Sequence, residues 1–177
     1  MNDLILLAAL MEGPQHGYAL KKLAGFMAGR EDMHLVYPLL RRFVENSWVT
    51  KRTTGGERGQ KRDLYTLTSK GRLELLQRLS RFTEKEASSE NEFRVRVSLF
   101  SMLERQAREN ILAERARWLA RRQERLEKIK TTLAAMNADA WGHSVLRFYL
   151  SQVNAERKWI AEMAQKASKS RKRAARW

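Results

Sequence analysis

The sequence contains no cysteine, only two prolines among its 177 residues, and no long apolar run. Without cysteine there can be no disulfide bond, no thiol nucleophile and no thiolate metal site. The apolar run near the amino terminus extends only from Leu4 to Met11, whereas a membrane-spanning helix needs ~20 such residues. Asp3 stands where a signal peptide would carry positive charge, and no small-residue cleavage pattern follows. We therefore expect a soluble, cytoplasmic protein with no membrane partner.

Acidic residues are scarce relative to basic ones. The sequence has 35 lysines and arginines against 20 aspartates and glutamates, a formal net charge of +15. Such an excess attracts polyanions, of which nucleic acid is the first candidate and acidic lipid the second. A hydrophobic content of 43% is sufficient for a folded core. The charge favours a nucleic-acid partner, with a basic protein that lacks such a partner as the alternative.

Signatures of catalysis and of metal binding are missing as well. The chain has no GxSxG, GxxxxGK[ST] or HExxH pattern. The three histidines, His16, His34 and His143, each follow a carboxylate by three or four residues, but none has an evident third ligand nearby. We therefore expect no catalytic residue, no metal and no cofactor, and we do not expect an enzyme.

Hydrophobic periodicity divides the first half of the chain into helices and a hairpin. Apolar residues at helical spacing predict one helix over residues 4–13 and a second one from Gln15. A third helix contains Pro38, which is tolerated only near the first turn because proline lacks a backbone N–H. Two strands, Trp48–Thr53 and Arg62–Leu67, flank a glycine-rich loop. Three helices followed by a hairpin predict a winged helix-turn-helix.

The second half is predicted to be helical. The segment TEKEASSENE, residues 83–92, is poor in apolar residues and is interpreted as a hinge. Two long helices, Asn110–Met136 and Ala140–Ala167, then carry apolar residues at heptad-like intervals, which is typical of packing against a partner helix. We predict a homodimer, with interface residues Phe100, Leu103, Leu126, Ile129, Leu133, Phe148 and Ile160.

The fold class predicted from these patterns is mainly α with a small β-hairpin. A winged helix-turn-helix DNA-binding domain is expected over residues 1–85, and a carboxy-terminal helical dimerisation and effector domain over residues 86–170. Residues 171–177 are expected to form a basic tail.

Cations are concentrated in the predicted wing. Residues 51–62 contain five cations and one anion, a net charge of +4. Exposed cations of this kind neutralise phosphates and displace condensed counterions. Arg42, Gln60 and His34 could also reach base edges, because arginine pairs with guanine and glutamine with adenine. A solvated hairpin with ordinary surface charge is the alternative, which the charge of the whole chain makes less favourable.

Three motifs follow one another in the first half of the chain: HGYALKK at 16–22, VYPLLRRFVENSWV at 36–49 and GQKRDLYTLTSKG at 59–71. Together they resemble the PadR family of bacterial transcriptional regulators. The segment NEFRVRVSLF at 91–100 is similar to the carboxy-terminal dimerisation domain of the longer PadR subgroup. The resemblance implies a dimeric regulator of the bacterial cytosol that binds double-stranded DNA, and we expect a repressor. The DNA-binding residues that we expect are His34, Leu35, Tyr37, Pro38, Arg41, Arg42, Lys51, Arg52, Arg58, Gln60, Lys61 and Arg62.

The sequence departs from the family pattern on both sides of the third helix. His34-Leu35 stands where the family usually has Gly-Thr, and Ser47-Trp48 replaces the usual Gly-Leu. The operator sequence therefore cannot be taken from relatives.

The resemblance also implies a small aromatic effector, because phenolic acids bind between the domains in this family. By resemblance, the effector site comprises Tyr18, Arg94, Trp141 and His143, with Arg94 pairing a carboxylate. Packing in the core or in a dimer interface is the alternative role of these four residues.

Two other functions remain open at this point. A winged helix can serve as a protein-interaction or scaffold module, which predicts weak DNA affinity without sequence dependence. A general DNA-binding protein would instead bind tightly without regard to sequence, and its affinity would depend on the basic tail.

Overall fold

The computed structural model describes residues 2–28, 35–55, 61–136 and 139–169. The chain forms two compact units, one of Met1–Arg81 with Arg94–Met102 and the other of Phe82–Phe93 with Leu103–Trp177. The predicted fold class is confirmed, since the architecture is mainly helical with one small antiparallel sheet. Within the described ranges, no helix is long and apolar enough to cross a membrane.

The first unit begins with two helices joined by a sharp turn. Helix α1, Asn2–Ala9, continues as a 3-10 turn over Leu10–Glu12, and helix α2 covers Gly17–Ala28. The turn between them is possible because Gly13 adopts a φ of 131°, which is unfavourable for any residue with a Cβ. Helix α1 is buried around most of its circumference, with Leu4, Ile5, Leu6 and Leu7 all in the core.

Helix α3, Val36–Glu45, is amphipathic at the spacing expected from the sequence. Val36, Leu40 and Phe43 are buried at i, i+4 and i+7, which is one face of a helix. Pro38 is the third residue of α3, so its missing N–H falls among the first-turn groups that have no intrahelical partner. The expectation that Pro38 lies in the first turn is therefore confirmed.

The predicted hairpin is present, and it forms part of a larger sheet. Strand β2, Val49–Gly55, pairs with strand β3, Lys61–Leu67, in an antiparallel register that places Val49 opposite Leu67. A two-residue strand β1, Gln15–His16, pairs with the other side of β3, which gives the order β1-β3-β2. Strand β1 is not evident from the sequence, because two residues are too short to show a period of two.

Helix α4, Ser69–Ser80, begins against the turn that connects α3 to β2. The Thr68 hydroxyl oxygen accepts a hydrogen bond from the Gly71 amide at 3.0 Å and donates to the Ser47 carbonyl at 2.8 Å. The Thr68 amide donates to the Trp48 carbonyl at 2.9 Å. A Cβ on Gly71 would lie 2.0 Å from that Trp48 carbonyl oxygen, so only glycine fits. These contacts define the α3–β2 junction, formed by Ser47, Trp48, Thr68 and Gly71.

Ser47 explains one of the departures from the family pattern. Its φ of 60° lies in the left-handed region, where a side chain costs roughly 1–2 kcal/mol and glycine is favoured. The position therefore needs a conformation that favours glycine, and here serine adopts it at the end of α3.

The other helices follow the predicted pattern with one correction. They are α5 (Glu84–Ala87), α6 (Glu90–Ser98), α7 (Arg105–Ala135) and α8 (Ala140–Lys169). Residues 83–92 were expected to be a hinge, but they contain α5, which begins with a capping box. In this capping box, the Thr83 side chain accepts from the Glu86 amide and the Glu86 carboxylate accepts from the Thr83 amide.

A buried arginine holds the second unit together. Arg115 on α7 is only 2% exposed, and its guanidinium donates to the Glu156 carboxylate on α8 at 2.7 and 2.9 Å. It also donates to the Ala87 carbonyl at 2.5 Å and lies 4.5 Å from the Trp118 ring centre. Because the charge is paired and hydrogen-bonded, its burial is tolerated, whereas loss of one partner would leave an uncompensated charge.

The α3–β2 junction generates a stability prediction. We expect Gly71→Ala to lower the free energy of unfolding by about 1–3 kcal/mol or more, because the new methyl group collides with a fixed backbone oxygen. Gly55→Ala is the matched control, since a Cβ there meets no described atom within 4 Å, and we expect a change within about 0.5 kcal/mol. Denaturant unfolding followed by circular dichroism measures both. Equal stability of the two variants would contradict the proposed packing.

Candidate nucleic-acid interface

The surface of α3 that faces away from the core carries the predicted DNA-binding residues. With Val36, Leu40 and Phe43 buried, the helical period places Pro38 and Glu45 on the outermost side, with Arg41 and Arg42 on either side of them. Tyr37 and Arg42 lie on opposite flanks of this outer side, and each has a contact within the first unit. The structure therefore distinguishes the two adjacent arginines.

The Tyr37 flank faces the start of α2 and the sheet. A Cβ on Gly17 would lie 3.0 Å from the Tyr37 ring and 3.3 Å from the Tyr65 ring, so glycine allows both aromatic rings to approach the backbone. Tyr65 is buried, and this burial raises the pKa of its phenol. The ring of Tyr37 remains about half exposed, at 48%.

The Arg42 flank faces α1 and is engaged by a carboxylate. Arg42 Nη2 donates to Asp3 Oδ2, and Arg78 Nη1 on α4 donates to the same oxygen at 3.1 Å. Arg78 is itself fixed by Glu74 at 2.5 Å and lies 4.7 Å from the Trp48 ring centre. Asp3 thus bridges one arginine of α3 and one arginine of α4.

The hairpin has two chemically different faces. Because side chains alternate along a strand, Lys51 and Thr53 share one face with Asp63 and Tyr65. Arg52 lies on the other face. Arg62, which pairs with Thr54 in the register, also lies on that second face. Both arginines are exposed.

Asp63 neutralises Lys51 on the first face. Lys51 Nζ lies 2.8 Å from the Asp63 carboxylate, and the Thr53 hydroxyl donates to the same carboxylate at 2.9 Å. The hydrogen bonds from Lys51 and then Thr53 lower the pKa of Asp63, and the same contact with Asp63 raises the pKa of Lys51. Lys51 therefore carries less uncompensated charge than its position in the sequence indicates.

Three cations of this region have no ion pair among the residues that the structure describes. They are Arg41 on the outer side of α3 and Arg52 and Arg62 on the second face of the hairpin. The sequence analysis included all three among the DNA-binding residues. It did not foresee that Asp3 and Asp63 pair with other cations of the same region. Asp3 and Arg42 are 39 residues apart, so no local pattern indicates their contact.

Some predicted DNA-binding residues fall outside the described ranges. His34, Arg58 and Gln60 are among these, and Lys61 is described only as part of strand β3. Leu35 is described and exposed, and it immediately precedes α3. The predicted basic tail, residues 171–177, also lies outside the described part of the chain.

The four predicted effector residues belong to different compact units. Tyr18 and Arg94 are in the first unit and are exposed, Tyr18 at 72%. Trp141 and His143 are in the second unit, where Trp141 is 82% exposed and His143 is half-buried. Tyr18 and Arg94 are therefore described in one unit, and Trp141 and His143 in the other.

The predicted dimer-interface residues divide by exposure. Four are already buried in the single chain, namely Phe100, Leu103, Leu126 and Ile160. Leu133 is half-buried, whereas Ile129 and Phe148 are exposed. The predicted interface did not include three further exposed apolar residues of α8, namely Trp141, Val145 and Trp159, and together with Phe148 they form what we name the α8 stripe. Their spacing of i, i+4, i+7 and i+18 keeps them on one side of the helix.

Comparisons with known proteins give a family match for the first unit. Residues 6–77 match the model of the "Transcriptional regulator PadR-like family". Bacillus subtilis PadR in complex with operator DNA is 21% identical, covering 93% of this chain and 98% of that chain, with a TM-score of 0.45. The same protein in complex with p-coumaric acid is 19% identical, with coverages of 95% and 96% and a TM-score of 0.41. Thermoplasma acidophilum TA0346 is 30% identical, with coverages of 42% and 72% and a TM-score of 0.40. No curated protein matches significantly.

The Lys51–Asp63 pair generates a titration prediction. Because Lys51 is the main cause of the low pKa of Asp63, Lys51→Gln should raise that pKa toward the ordinary aspartate value. Carboxyl carbon chemical shifts measured by NMR across acidic pH report it directly. Arg52→Gln, which removes a neighbouring cation from the opposite face, is the control and should have a much smaller effect. An unchanged Asp63 titration in Lys51→Gln would show that the pair does not form in solution.

Proposed function

The chain belongs to the transcriptional regulator PadR-like family through residues 6–77, and we propose that it is a repressor that binds a pseudo-palindromic operator as a homodimer. The observation that carries this proposal is the position of the uncompensated cations. Arg41 on α3 and Arg52 and Arg62 on the hairpin belong to the same compact unit, and no described residue pairs with them. A unit with this charge is suited to a polyanion.

Helix α3 would supply the sequence-reading contacts. The major groove of B-DNA is about 12 Å wide and admits one α-helix, whose outward side chains then meet base edges. Tyr37, Pro38 and Arg41 form the exposed surface that would enter first. Arg41 is the side chain best placed for a bidentate contact with guanine, because it points away from the core and has no described ion pair.

The hairpin would supply phosphate contacts. Arg52 and Arg62 extend from the same face of the β2–β3 ladder, so both guanidinium groups can follow one strand of the duplex. Lys51 extends from the opposite face and is held by Asp63. The proposed wing therefore uses two arginines, whereas sequence reasoning assigned Lys51 an equal part.

Dimerisation would cover the α8 stripe. Trp141 is 82% exposed and Phe148 57%, and aromatic side chains on one side of a long helix are costly to leave in water. Ile129 on α7 and Met136, which follows the last residue of α7, are exposed as well. A two-fold axis through this surface yields two copies of α3, as needed to contact half-sites about 34–36 Å apart on the operator.

A small aromatic acid is the effector that the family resemblance suggests. Tyr18 offers an exposed aromatic ring in the first unit, and Trp141 offers one in the second unit. Calorimetric titration with hydroxycinnamate-type acids, combined with a DNA-binding assay in their presence, tests this part of the proposal. Absence of heat together with unchanged DNA affinity would remove the effector and leave the DNA-binding proposal intact.

The proposed role of the wing gives a prediction on salt dependence. Replacing Arg52 and Arg62 by glutamine should weaken binding to duplex DNA and reduce the slope of log Kd against log salt by about 1.8 for each protomer. Fluorescence anisotropy at a series of salt concentrations measures this slope. The control removes two exposed cations from α7, Arg125→Gln with Lys128→Gln, and should change the slope less. An unchanged slope in the wing variant would place the hairpin away from DNA and favour a protein-interaction module.

The proposed role of the α8 stripe gives a prediction on oligomeric state. Phe148→Glu introduces a charge into the exposed apolar surface and should convert the dimer into monomers, as measured by multi-angle light scattering. Asn154→Glu adds the same charge at an exposed position on another side of α8 and should leave the dimer intact. A Phe148→Glu protein that remains dimeric would place the interface elsewhere.

A further inference from the structure

We propose that Asp3 is a positioning residue that withholds Arg42 from DNA and competes with backbone phosphate for its guanidinium. This inference rests on the proposed function and deepens it, because it separates the roles of Arg41 and Arg42. Arg42 would contact phosphate only after leaving Asp3, whereas Arg41 remains free to read bases.

The Asp3 carboxylate is an anion held by two arginines at the edge of α3. One oxygen, Oδ2, accepts from Arg42 on α3 and from Arg78 on α4, the latter at 3.1 Å. Phosphate oxygens are likewise ionised acceptors that arginine binds strongly. The Asp3 carboxylate therefore binds the Arg42 guanidinium, which the sequence analysis predicted to contact DNA.

The exchange of one anion for another would require little free energy. The side chain of Arg42 is 49% exposed, and ion pairs between exposed groups are weak because water and salt screen them. A DNA phosphate also gains from the release of condensed counterions, which a protein carboxylate does not offer. Phosphate therefore competes with Asp3 for Arg42, and it would gain Arg42 once the charge of Asp3 is removed.

Arg78 makes this exchange possible without leaving a bare carboxylate. After Arg42 departs, Asp3 would keep its contact with Arg78, whose own position is fixed by Glu74 at 2.5 Å and by the Trp48 ring at 4.7 Å. Arg78 thus anchors Asp3, and Arg42 is the mobile partner. This asymmetry distinguishes a competitor from a purely structural ion pair.

A consequence for specificity follows from the two arginines. Contacts with phosphate carry no sequence information, so each free cation raises affinity for all DNA. By neutralising Arg42 in the free protein, Asp3 lowers sequence-independent binding. The contribution of Arg41 to discrimination between operator and other DNA then becomes larger.

The test is the substitution Asp3→Asn in the full chain, which removes the charge and keeps the size of the side chain. Binding to a labelled mixed-sequence duplex of about 30 base pairs, enough for two half-sites, is measured by fluorescence anisotropy over a range of salt concentrations. We expect Kd to decrease about threefold or more at moderate salt. We also expect the slope of log Kd against log salt to steepen by about 0.9 for each Arg42 that gains a phosphate.

Two controls separate competition from a general change in charge. Glu74→Gln removes the same charge from the other partner of Arg78 and should leave the slope unchanged, because Arg42 stays paired with Asp3. In an Arg42→Gln background, Asp3→Asn should no longer steepen the slope, since the competing cation is gone. Thermal unfolding by circular dichroism checks that each variant is folded.

The outcomes distinguish this inference from the proposed function. If the wild-type chain does not bind the duplex, the proposed function fails and the inference fails with it. If the wild type binds and Asp3→Asn binds equally or more weakly, with an unchanged slope, the inference alone is overturned. Should Asp3→Asn fail to fold, Arg42→Gln decides the question. A salt slope equal to that of the wild type supports the withholding of Arg42 by Asp3, and a slope flatter by about 0.9 for each protomer overturns it, because Arg42 would then already contact phosphate.

Discussion

The close contact between Gly71 and the Trp48 carbonyl is the constraint on which the first unit depends. It brings the amino terminus of α4 onto the turn between α3 and β2, at a distance that no side chain other than hydrogen allows. Thr68 completes the junction, since its hydroxyl and amide bond to Ser47 and Trp48. The recognition helix α3 ends at this turn, and strand β2 of the wing begins directly after it. Fixing that turn therefore fixes both proposed DNA-contacting elements relative to each other.

The same junction is connected to the charged surface. The Trp48 ring lies against Arg78, Arg78 binds Asp3, and Asp3 binds Arg42. A contact that begins in the core of the unit thus ends at an arginine of the recognition helix. Lys51 is likewise paired with Asp63 on the hairpin. The high net charge of the chain is consequently not distributed evenly over the interface, because carboxylates neutralise some cations and leave others available to phosphate.

Much of the fold could be predicted from the sequence because local rules determine it. The position of Pro38 in the first turn of α3 follows from its missing N–H, and the hairpin follows from two β-favouring segments around glycines. The candidate site could be predicted only in part. Which of two adjacent arginines is free depends on Asp3, a residue that is distant in the sequence, and no periodicity indicates such a contact. The helix α5 was missed because its Thr83–Glu86 capping box stabilises a segment that is poor in apolar residues.

The central claim is that the exposed face of α3 reads a DNA sequence, and selection of genomic fragments tests it most directly. Fragments of the source genome are bound to the purified protein near physiological salt, because affinities for DNA depend steeply on ionic strength, and the retained fragments are sequenced. We expect enrichment of one inverted repeat whose half-sites are centred about 10 base pairs, or a multiple of that, apart. Uniform recovery of fragments would contradict sequence-specific regulation and would indicate binding through charge alone.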